Sequence, residues 1–333
     1  MSIANKDTDD PVLSNFQKSG DLKCTVTNLK SSDIGIVVDI SVIDSFLILS
    51  EHQTDLIFKV FSTKTGKLLS NSVRKGNGPD EINFPTLISE YKNDIFTMYD
   101  AGLKKLNFLS VNNMIKGNAK FLKSEKIPYA AFKTYPLNDS IFLSSGSFEE
   151  GRYSLYNKNN GKNKVMLDYP YDAKHKNESN LIKGLAFQGE IAIKPDLKTF
   201  VSTCHNSGSI EICGFHNNNL ERVFRKDYFS SEYRVIEGNA AFSKSNRYAF
   251  HSPSVTDENI YVIYSGITAE SPHYTAGKFL LVYDWSGTPL IYFNLDRGVT
   301  KMALDKRSNT IYCVSMNPVS YEDEIVSYKL PKL

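Results

Sequence analysis

A short unit recurs six times along this 333-residue chain. Each copy has a turn residue (Asp, Asn or Ser) followed by a run rich in aromatic and β-branched residues. Asp and Asn favour tight turns and the runs favour strands, so each copy predicts a buried strand introduced by a turn. Successive copies begin about 45 to 60 residues apart. The copies are DSFLILS from Asp44, NDIFTMY from Asn93, NDSIFLSS from Asn138, DLKTFVST from Asp196, DENIYVIY from Asp257 and SNTIYCVS from Ser308.

A second unit follows most copies. It consists of a strand ending in an aromatic residue, a polar turn and another strand, and its Gly and Asn residues supply the positive φ angles that tight hairpins require. With one strand before the Asp or Asn turn and one after it, each repeat is predicted to hold four strands. The hairpins are KVFSTKTGKLL (58–68), SLYNKNNGKNKVML (154–167), ICGFHNNNLERVF (212–224), LVYDWSGTPLIYF (281–293) and, more loosely, MYDAGLKKLNFL (98–109).

These repeats predict an all-β fold, a six-bladed β-propeller with four-stranded antiparallel blades. A pair of β-sandwiches also has many short strands, but sandwich strands have no reason to recur as a four-strand unit. The last repeat runs out after three strands, and LKCTVTNL (22–29) is left unassigned. We expect this N-terminal strand to complete the last blade and close the ring. The predicted organisation is a flexible N-terminal arm, residues 1–21, and a single propeller domain, residues 22–333.

The loop VRKGNGPDEINFP (73–85) poses a choice between a phosphate site and a turn. Gly76 and Gly78 begin a GxGxxG pattern, but Glu81 stands at the third glycine position. The loop also lacks the GK[ST] ending of a P-loop, and no crossover helix follows it. A sharp reversal between the first and second blades, stiffened by Pro79, is the favoured interpretation.

Two stretches of this sequence also resemble a known family. RKGNGPDEINFP followed by IFTMYD, and LVYDWSGTPLIYFNLDRGVTKMALDKRSNTIYCV, are similar to the TolB-like six-bladed propellers of bacterial envelope proteins. The resemblance extends over most of residues 22–333 and implies a periplasmic or outer-membrane-attached lipoprotein, with a lipid anchor on the native precursor. This chain departs from that pattern because it shows neither a leader nor a lipobox cysteine. The resemblance implies no catalytic residues, because the matching motifs are structural.

The distribution of charged and apolar residues argues against two features, nucleic-acid binding and a transmembrane segment. The 39 basic and 37 acidic residues are spread along the chain, without the basic stripe typical of nucleic-acid-binding proteins. No apolar run approaches the roughly 18 residues of a transmembrane helix. We therefore expect neither nucleic-acid binding nor a transmembrane segment.

The positions of the cysteines and histidines allow one disulfide at most and predict no metal site. Cys24 and Cys313 are expected on strands of the last blade that are not neighbours, and so to be free. Cys204 and Cys213 are expected on adjacent strands, where either a disulfide or two buried thiols is compatible with the sequence. The six histidines show no HxxxH, HxH or CxxC spacing, so no metal site and no cofactor are predicted.

Candidate ligand-binding residues come from the loops between the second and third strands of a blade and between successive blades. These loops emerge at the same end of the predicted strands, and loops on a rigid scaffold often carry function. Their mixture of charges and tyrosines suits a glycan, a peptide or a protein. For any single residue, a solvated loop position without a ligand is the competing interpretation. The candidates are Arg74, Lys75, Asp80, Glu81, Glu149, Glu150, Arg152, His205, Asn206, Arg234, Glu237, His273, Tyr274 and Tyr321.

Three functions remain open, and the sequence leaves enzymatic activity undecided while favouring its absence. The first is a non-catalytic binding module of the bacterial envelope. The second is a metal-dependent hydrolase or lyase of lactonase or carbohydrate-active type, using Ca²⁺ and acids such as Asp39, Glu90 and Asp196 at a central channel. The third is a structural scaffold. Sialidase-type Asp boxes and the GxSxG motif of serine hydrolases are absent from the sequence.

Overall fold

The computed structural model describes residues 2–3, 9–29, 33–52, 54–170 and 173–332. Strands dominate this part of the chain, because the aromatic and β-branched runs alternate with turn residues throughout. The first eleven strands are β1 (Ser2–Ile3), β2 (Lys18–Leu22), β3 (Thr25–Val26), β4 (Ile36–Ile43), β5 (Phe46–His52), β6 (Leu56–Ser62), β7 (Leu68–Arg74), β8 (Pro85–Lys92), β9 (Ile95–Asp100), β10 (Lys105–Ser110) and β11 (Lys123–Lys126), with helix α1 (Val111–Ile115) before β11.

The remaining strands follow the same alternation. They are β12 (Lys133–Pro136), β13 (Ile141–Ser145), β14 (Tyr153–Asn157), β15 (Lys162–Met166), β16 (Gly189–Ile193), β17 (Thr199–Cys204), β18 (Ser209–His216), β19 (Asn219–Asp227), β20 (Tyr233–Ile236), β21 (Asn239–Phe242), β22 (Phe250–Val255), β23 (Asn259–Tyr264), β24 (Gly277–Asp284), β25 (Pro289–Asp305), β26 (Thr310–Met316) and β27 (Asp323–Lys329). Helix α2 (Asn180–Ala186) precedes β16, and Ser179 caps its N-terminus by accepting a hydrogen bond from the backbone N–H of Ile182.

The chain forms two compact units. Unit 1 comprises Met1–Cys24, Gly146–Leu155 and Lys162–Thr300, and unit 2 comprises Thr25–Ser145, Tyr156–Gly161 and Lys301–Leu333. Strands β12 to β15 form a four-stranded sheet in chain order, and the division between the units falls within that sheet and within the long strand β25.

Unit 2 contains two complete four-stranded sheets, β4 to β7 and β8 to β11, each antiparallel and in chain order. The predicted turns are present, because Asp44 and Asn93 adopt positive φ angles of 49° and 54° between the first two strands of their sheets. The core of this unit includes Phe58 and Phe96, whose rings meet edge to face at 5.4 Å.

Unit 1 contains the antiparallel sheet β16 to β19, the hairpin β20–β21, and strands β22 to β24 with the first part of β25. The sequence predicted two strands where β25 runs unbroken. Its Asp296–Arg297–Gly298 segment belongs to that strand, and the register with β24 shifts there, since Gly277 lies opposite Val299 and Phe279 opposite Asn294.

The N-terminal segment differs from the flexible arm expected for residues 1–21. Within the described residues 9–21, Val12, Leu13 and Phe16 are buried in the core of unit 1. Strand β2 pairs in parallel with β25, Ser19 lying opposite Tyr292. Burial of three apolar side chains orders this segment although its composition is polar.

The strand predicted at residues 22–29 is divided in two. Leu22 ends β2, whereas Thr25 and Val26 form β3 and pair with Ser327 and Val326 of β27 in unit 2. The expected pairing with the last strand is thus present but short. The described strands form no closed sheet.

All four cysteines are free. Cys213 lies opposite Phe200 on the neighbouring strand, which places Cys204 four residues out of register with it. Four residues of strand correspond to roughly 13 Å, beyond disulfide reach. The buried-thiol alternative is therefore correct for this pair.

We expect Ellman's reagent to modify one thiol in the native protein and three more after unfolding. Cys24 is half-buried, whereas Cys204, Cys213 and Cys313 are buried. Burial raises the pKa of the Cys204 and Cys213 thiols, so the reactive thiolate is scarce at both positions while the protein is folded. Mass spectrometry of the labelled peptides checks the assignment. Rapid labelling of two or more cysteines in the native state would contradict it.

Candidate functional site

Three loops of unit 1 meet at the end of its sheets where β16 and β22 begin. They are residues 205–208 between β17 and β18, residues 228–249 between β19 and β22, and residues 265–276 between β23 and β24. The second of these contains the β20–β21 hairpin. Backbone hydrogen bonds fasten them together: the Ala249 N–H donates to the His205 carbonyl at 2.6 Å, and the Tyr248 N–H donates to the Ile267 carbonyl at 2.9 Å. The loops are therefore held as one surface.

Four aromatic side chains form what we call the ring cluster: His205, Tyr248 and Tyr274 come from these loops, and His251 comes from the start of β22. Tyr248 is its centre. Its ring stacks on His205 at 5.7 Å, meets Tyr274 edge to face at 5.8 Å and lies 5.5 Å from His251. His251 is buried, whereas the other three remain partly exposed. The rings of His205, Tyr248 and Tyr274 are therefore held in fixed positions and are partly accessible to solvent.

The carboxylate of Glu190 lies beside the ring cluster. Glu190 is the second residue of β16, and its Oε1 lies 3.8 Å from Nε2 of His205. Its Oε2 accepts the backbone N–H of Ser252 at 2.5 Å. The side chain is 7 % exposed, so a buried, oriented acceptor stands next to aromatic rings.

The backbone at Ser252, whose N–H donates to the Glu190 carboxylate, has a strained conformation. Ser252 has a φ of 50°, and the register with β23 shifts between His251 and Ser254. A left-handed conformation at a non-glycine residue costs on the order of 1 kcal/mol and persists where the surroundings impose it. Here the bulge directs the Ser252 N–H at the carboxylate.

Two amides border the ring cluster. Asn246 Nδ2 donates to Oδ1 of Asn206 at 3.4 Å, and Asn246 Oδ1 accepts the Glu232 N–H at 2.8 Å. Arg247 forms an ion pair with Asp10 at 3.0 Å, which fastens the N-terminal segment to the same loop. Rings, a carboxylate and amides together provide stacking faces with neighbouring hydrogen-bonding groups.

The structure brings three predicted candidates, His205, Asn206 and Tyr274, into this surface. His273 is exposed beside Tyr274, and Arg234 and Glu237 lie exposed on the β20–β21 hairpin, whose tip has Glu237 and Gly238 at positive φ.

The remaining unit 1 candidates lie in the loop between β13 and β14. Glu149 and Glu150 are exposed, and the Glu149 carbonyl accepts a hydrogen bond from Asn180.

Arg152 occupies a different place from the expected surface loop. It is buried at 4 % exposure, with Nη1 2.7 Å from Oε1 of Glu211. Glu211 also accepts hydrogen bonds from Tyr153 at 2.5 Å and from Nε of Arg222 at 2.8 Å. The sequence predicted a solvent-exposed loop position for Arg152. Its side chain is buried instead, because it forms an ion pair with the buried carboxylate of Glu211.

Five candidates belong to unit 2. Glu81 Oε2 accepts the Gly78 N–H at 2.8 Å, and a Cβ at Gly76 would lie 2.1 Å from the same oxygen. The loop 73–85 is therefore the turn that the sequence favoured, and its glycines make room for Glu81. Asp80 accepts the Phe121 N–H at 2.8 Å. The exposed candidates of this unit are Arg74, Lys75 and Tyr321.

Sequence reasoning missed Glu190, Tyr248 and His251. Glu190 was assigned to a strand, and Tyr248 and His251 stand in a stretch without repeat character. An acidic residue at the start of an otherwise apolar strand was the one signal that could have identified Glu190.

The acids considered for a metal-dependent site have local structural partners. Asp39 accepts the Ile88 N–H at 2.7 Å, Glu90 pairs with Lys306 at 3.0 Å, and Asp196 accepts the Lys198 N–H at 2.7 Å. Across the described residues, no three His, Cys, Asp or Glu side chains are arranged to hold a metal ion. In the same part of the chain, no helix has the length and apolarity to cross a membrane.

Comparison with known proteins gives a family match. The sequence profile of a family described as "TolB-like 6-blade propeller-like" matches residues 15–307. No curated protein matches this sequence.

Several solved structures share the architecture. A protein of Bacteroides fragilis, described as a candidate exported protein, superposes with a TM-score of 0.61 at 10% identity, covering 96% of this chain and 99% of its own. The Cps50 (Swd1) β-propeller domain of Myceliophteria thermophila gives a TM-score of 0.50 at 10% identity, covering 92% and 100%. The WD40 repeats of RRP9 give 0.51 at 9% identity, covering 93% and 98%. Together with the antiparallel four-stranded sheets, these matches identify a β-propeller fold.

Proposed function

Because the chain belongs to the TolB-like 6-blade propeller-like family, and because unit 1 presents the ring cluster beside Glu190, we propose that it is a non-catalytic module that binds a carbohydrate. Sugar rings present C–H groups that stack on aromatic faces and hydroxyls that hydrogen-bond to carboxylates and amides. Tyr248 and Tyr274 supply the faces. Glu190 and Asn206 supply the polar groups, and the buried Asn246 holds the Asn206 amide in place.

The observation that carries this proposal is the stacking of His205 on Tyr248 within reach of the Glu190 carboxylate. Binding sites commonly combine apolar rings with a few convergent polar groups. The rings are held by the loop backbone, so little conformational entropy is lost on binding. The proposal needs neither a metal nor a cofactor. A hydrolase or lyase dependent on Ca²⁺ would need a cluster of metal ligands, and the described residues contain no group of three His, Cys, Asp or Glu side chains placed to hold a metal ion.

We place the module in the bacterial cell envelope, as a periplasmic or outer-membrane-attached lipoprotein whose precursor carries a lipid anchor. The family match and the likeness to a B. fragilis protein described as a candidate exported protein support this location. We further propose six blades in a ring closed by β3, which the pairing of β3 with β27 supports. A ring without an open edge would protect the outer strands from aggregation.

A glycan array probed with the full chain, followed by calorimetric titration of the best ligand, tests the proposal. Replacing Tyr248 with Ala should weaken binding about fivefold or more, because an aromatic stacking contact is worth about 1 kcal/mol or more. His205→Ala should also weaken it, whereas His216→Ala, which removes an exposed imidazole at the far end of β18, should not. Added Ca²⁺ should change neither affinity nor melting temperature.

Two results would overturn the assignment. One is the absence of any glycan ligand that depends on Tyr248. The other is hydrolysis or elimination of a bound sugar stimulated by Ca²⁺, which would establish the enzymatic alternative.

A further inference from the structure

Unit 2 exposes a stripe of large apolar and aromatic side chains at one end of its strands. We call it the apolar stripe and define it as Ile36, His52, Phe84, Met316, Val319 and Tyr321. Exposed fractions are 54 % for Ile36, 53 % for Phe84, 85 % for Val319 and 72 % for Tyr321. Soluble proteins rarely leave such groups together in solvent unless the surface binds something.

Hydrogen bonds and pairings connect the stripe into one surface. Ile36 lies opposite His52 in the β4–β5 ladder, and the His52 ring is 6.0 Å from the Phe84 ring. At the other end, Met316 lies opposite Asp323, whose Oδ2 accepts the Val37 N–H at 2.9 Å.

Val319 and Tyr321 lie in the loop between β26 and β27. The Tyr321 N–H donates to the Asn317 carbonyl at 3.0 Å, and Asn317 Oδ1 accepts the Val319 N–H at 2.9 Å. Tyr321 also has a φ of 60°. The loop is therefore held by its own hydrogen bonds while its two apolar side chains point away from the unit's core.

Basic side chains stand at the Phe84 end of the stripe. Lys75 forms an isolated β-bridge with Ile82, which lies two residues before Phe84. The Ile82 N–H donates to the Arg74 carbonyl. Lys104 is the next residue after Leu103. The backbone N–H groups of Leu103 and Phe84 both donate to the Asp100 carboxylate, which holds Lys104 near Phe84.

Arg74, Lys75 and Lys104 are exposed. Within the described ranges, none of the three forms an ion pair with another side chain. This end of the stripe therefore presents three basic side chains next to apolar surface, and these side chains can pair with an acidic partner.

We propose that the apolar stripe is a docking surface for an extended segment of a partner protein, one that carries aliphatic or aromatic side chains with Asp or Glu residues at one end. Apolar anchors would settle against Ile36, Phe84 and Tyr321. The acidic end would lie against Arg74, Lys75 and Lys104. Anchors of this kind normally supply most of the affinity, while the surrounding charges select the partner and its direction. This proposal is independent of carbohydrate binding in unit 1.

Selection from a displayed library of random 12-residue peptides on the full chain tests the proposal. The enriched peptides should combine Asp or Glu with Leu, Ile, Phe or Trp. Chemically synthesised versions should bind the double variant Phe84→Ser/Tyr321→Ser at least tenfold more weakly than the unmodified chain. Arg74→Glu/Lys75→Glu should weaken binding by a similar factor and abolish the preference for acidic peptides.

Matched controls separate docking from general stickiness and from misfolding. Leu122 and Val223 are exposed apolar residues outside the stripe, so Leu122→Ser and Val223→Ser should leave peptide affinity unchanged. All replaced side chains are exposed, so the melting temperature should stay within about 2 °C of that of the unmodified chain. Tyr248→Ala should not alter peptide binding, which distinguishes this test from that of the carbohydrate site.

Three results would overturn the proposal. The first is a selection that enriches no peptides, or only peptides that bind the stripe variants equally well. The second is a concentration-dependent dimer that Phe84→Ser/Tyr321→Ser abolishes, since a second copy of the chain would then be the occupant. The third is binding to anionic lipid vesicles that competes with the peptides.

Discussion

Replacing Glu211 with Gln should lower the free energy of unfolding by about 3–5 kcal/mol, the cost typical of removing one partner from a buried ion pair. Glu211 is fully buried, and its carboxylate is bound by Arg152, Arg222 and Tyr153. The substitution preserves shape but leaves the buried Arg152 guanidinium without its counter-charge. Denaturant unfolding followed by circular dichroism measures the change.

Glu221 provides the matched control. It is an exposed glutamate on β19, the strand paired with that of Glu211, and Glu221→Gln should change stability by less than about 0.5 kcal/mol. A cost for Glu211→Gln of under about 1 kcal/mol would show that the buried Arg152–Glu211 ion pair does not stabilise the fold as expected.

The pH dependence of this difference has a definite sign. Burial alone would raise the pKa of Glu211, but Arg152, the Tyr153 hydroxyl and Arg222 together hold that pKa below its ordinary value of 4.5. A lowered pKa stabilises the folded chain above the unfolded-state value and loses that contribution as the pH falls through the folded-state value. The stability difference between the unmodified chain and Glu211→Gln should therefore be full near pH 7 and shrink below about pH 4.5.

Replacing Phe16 with Ala should cost about 3–5 kcal/mol, the range for truncating a buried phenylalanine. Phe16 is 4 % exposed, and its ring meets Tyr283 at 5.2 Å and Tyr292 at 5.9 Å, both edge to face. If residues 1–21 were a flexible arm, the same substitution would have no effect. Thermal and denaturant unfolding separate the two outcomes clearly.

Gln17→Ala serves as the control for that substitution. Gln17 is exposed and adjacent to Phe16, so its truncation should leave stability almost unchanged. Equal effects of the two substitutions would indicate that the segment acts through its backbone pairing with β25 instead of through the Phe16 ring.

Much of the fold could be predicted because its signals are local. Asp44 and Asn93 are turn residues in sequence and occupy turns with positive φ, and the runs that follow them are strands. The candidate site was predicted only in part. His205, Asn206 and Tyr274 come from loops whose position follows from strand order. Glu190 and His251 lie within strands, where the acidic residue in an otherwise apolar strand is the one local signal for Glu190 and His251 has none.

The sequence by itself determined the alternation of strands and turns, the four-strand repeat and the position of the loops, because turn chemistry and strand propensity act between residues a few positions apart. Only the tertiary structure decided that Phe16 is a core residue, that Arg152 is a buried partner of Glu211 and that Tyr248 joins His205 beside Glu190. The contacts of Phe16 with Tyr283, of Arg152 with Glu211 and of Tyr248 with His205 each join residues that are far apart in the sequence. Burial and charge pairing over such separations leave no periodic trace in the chain.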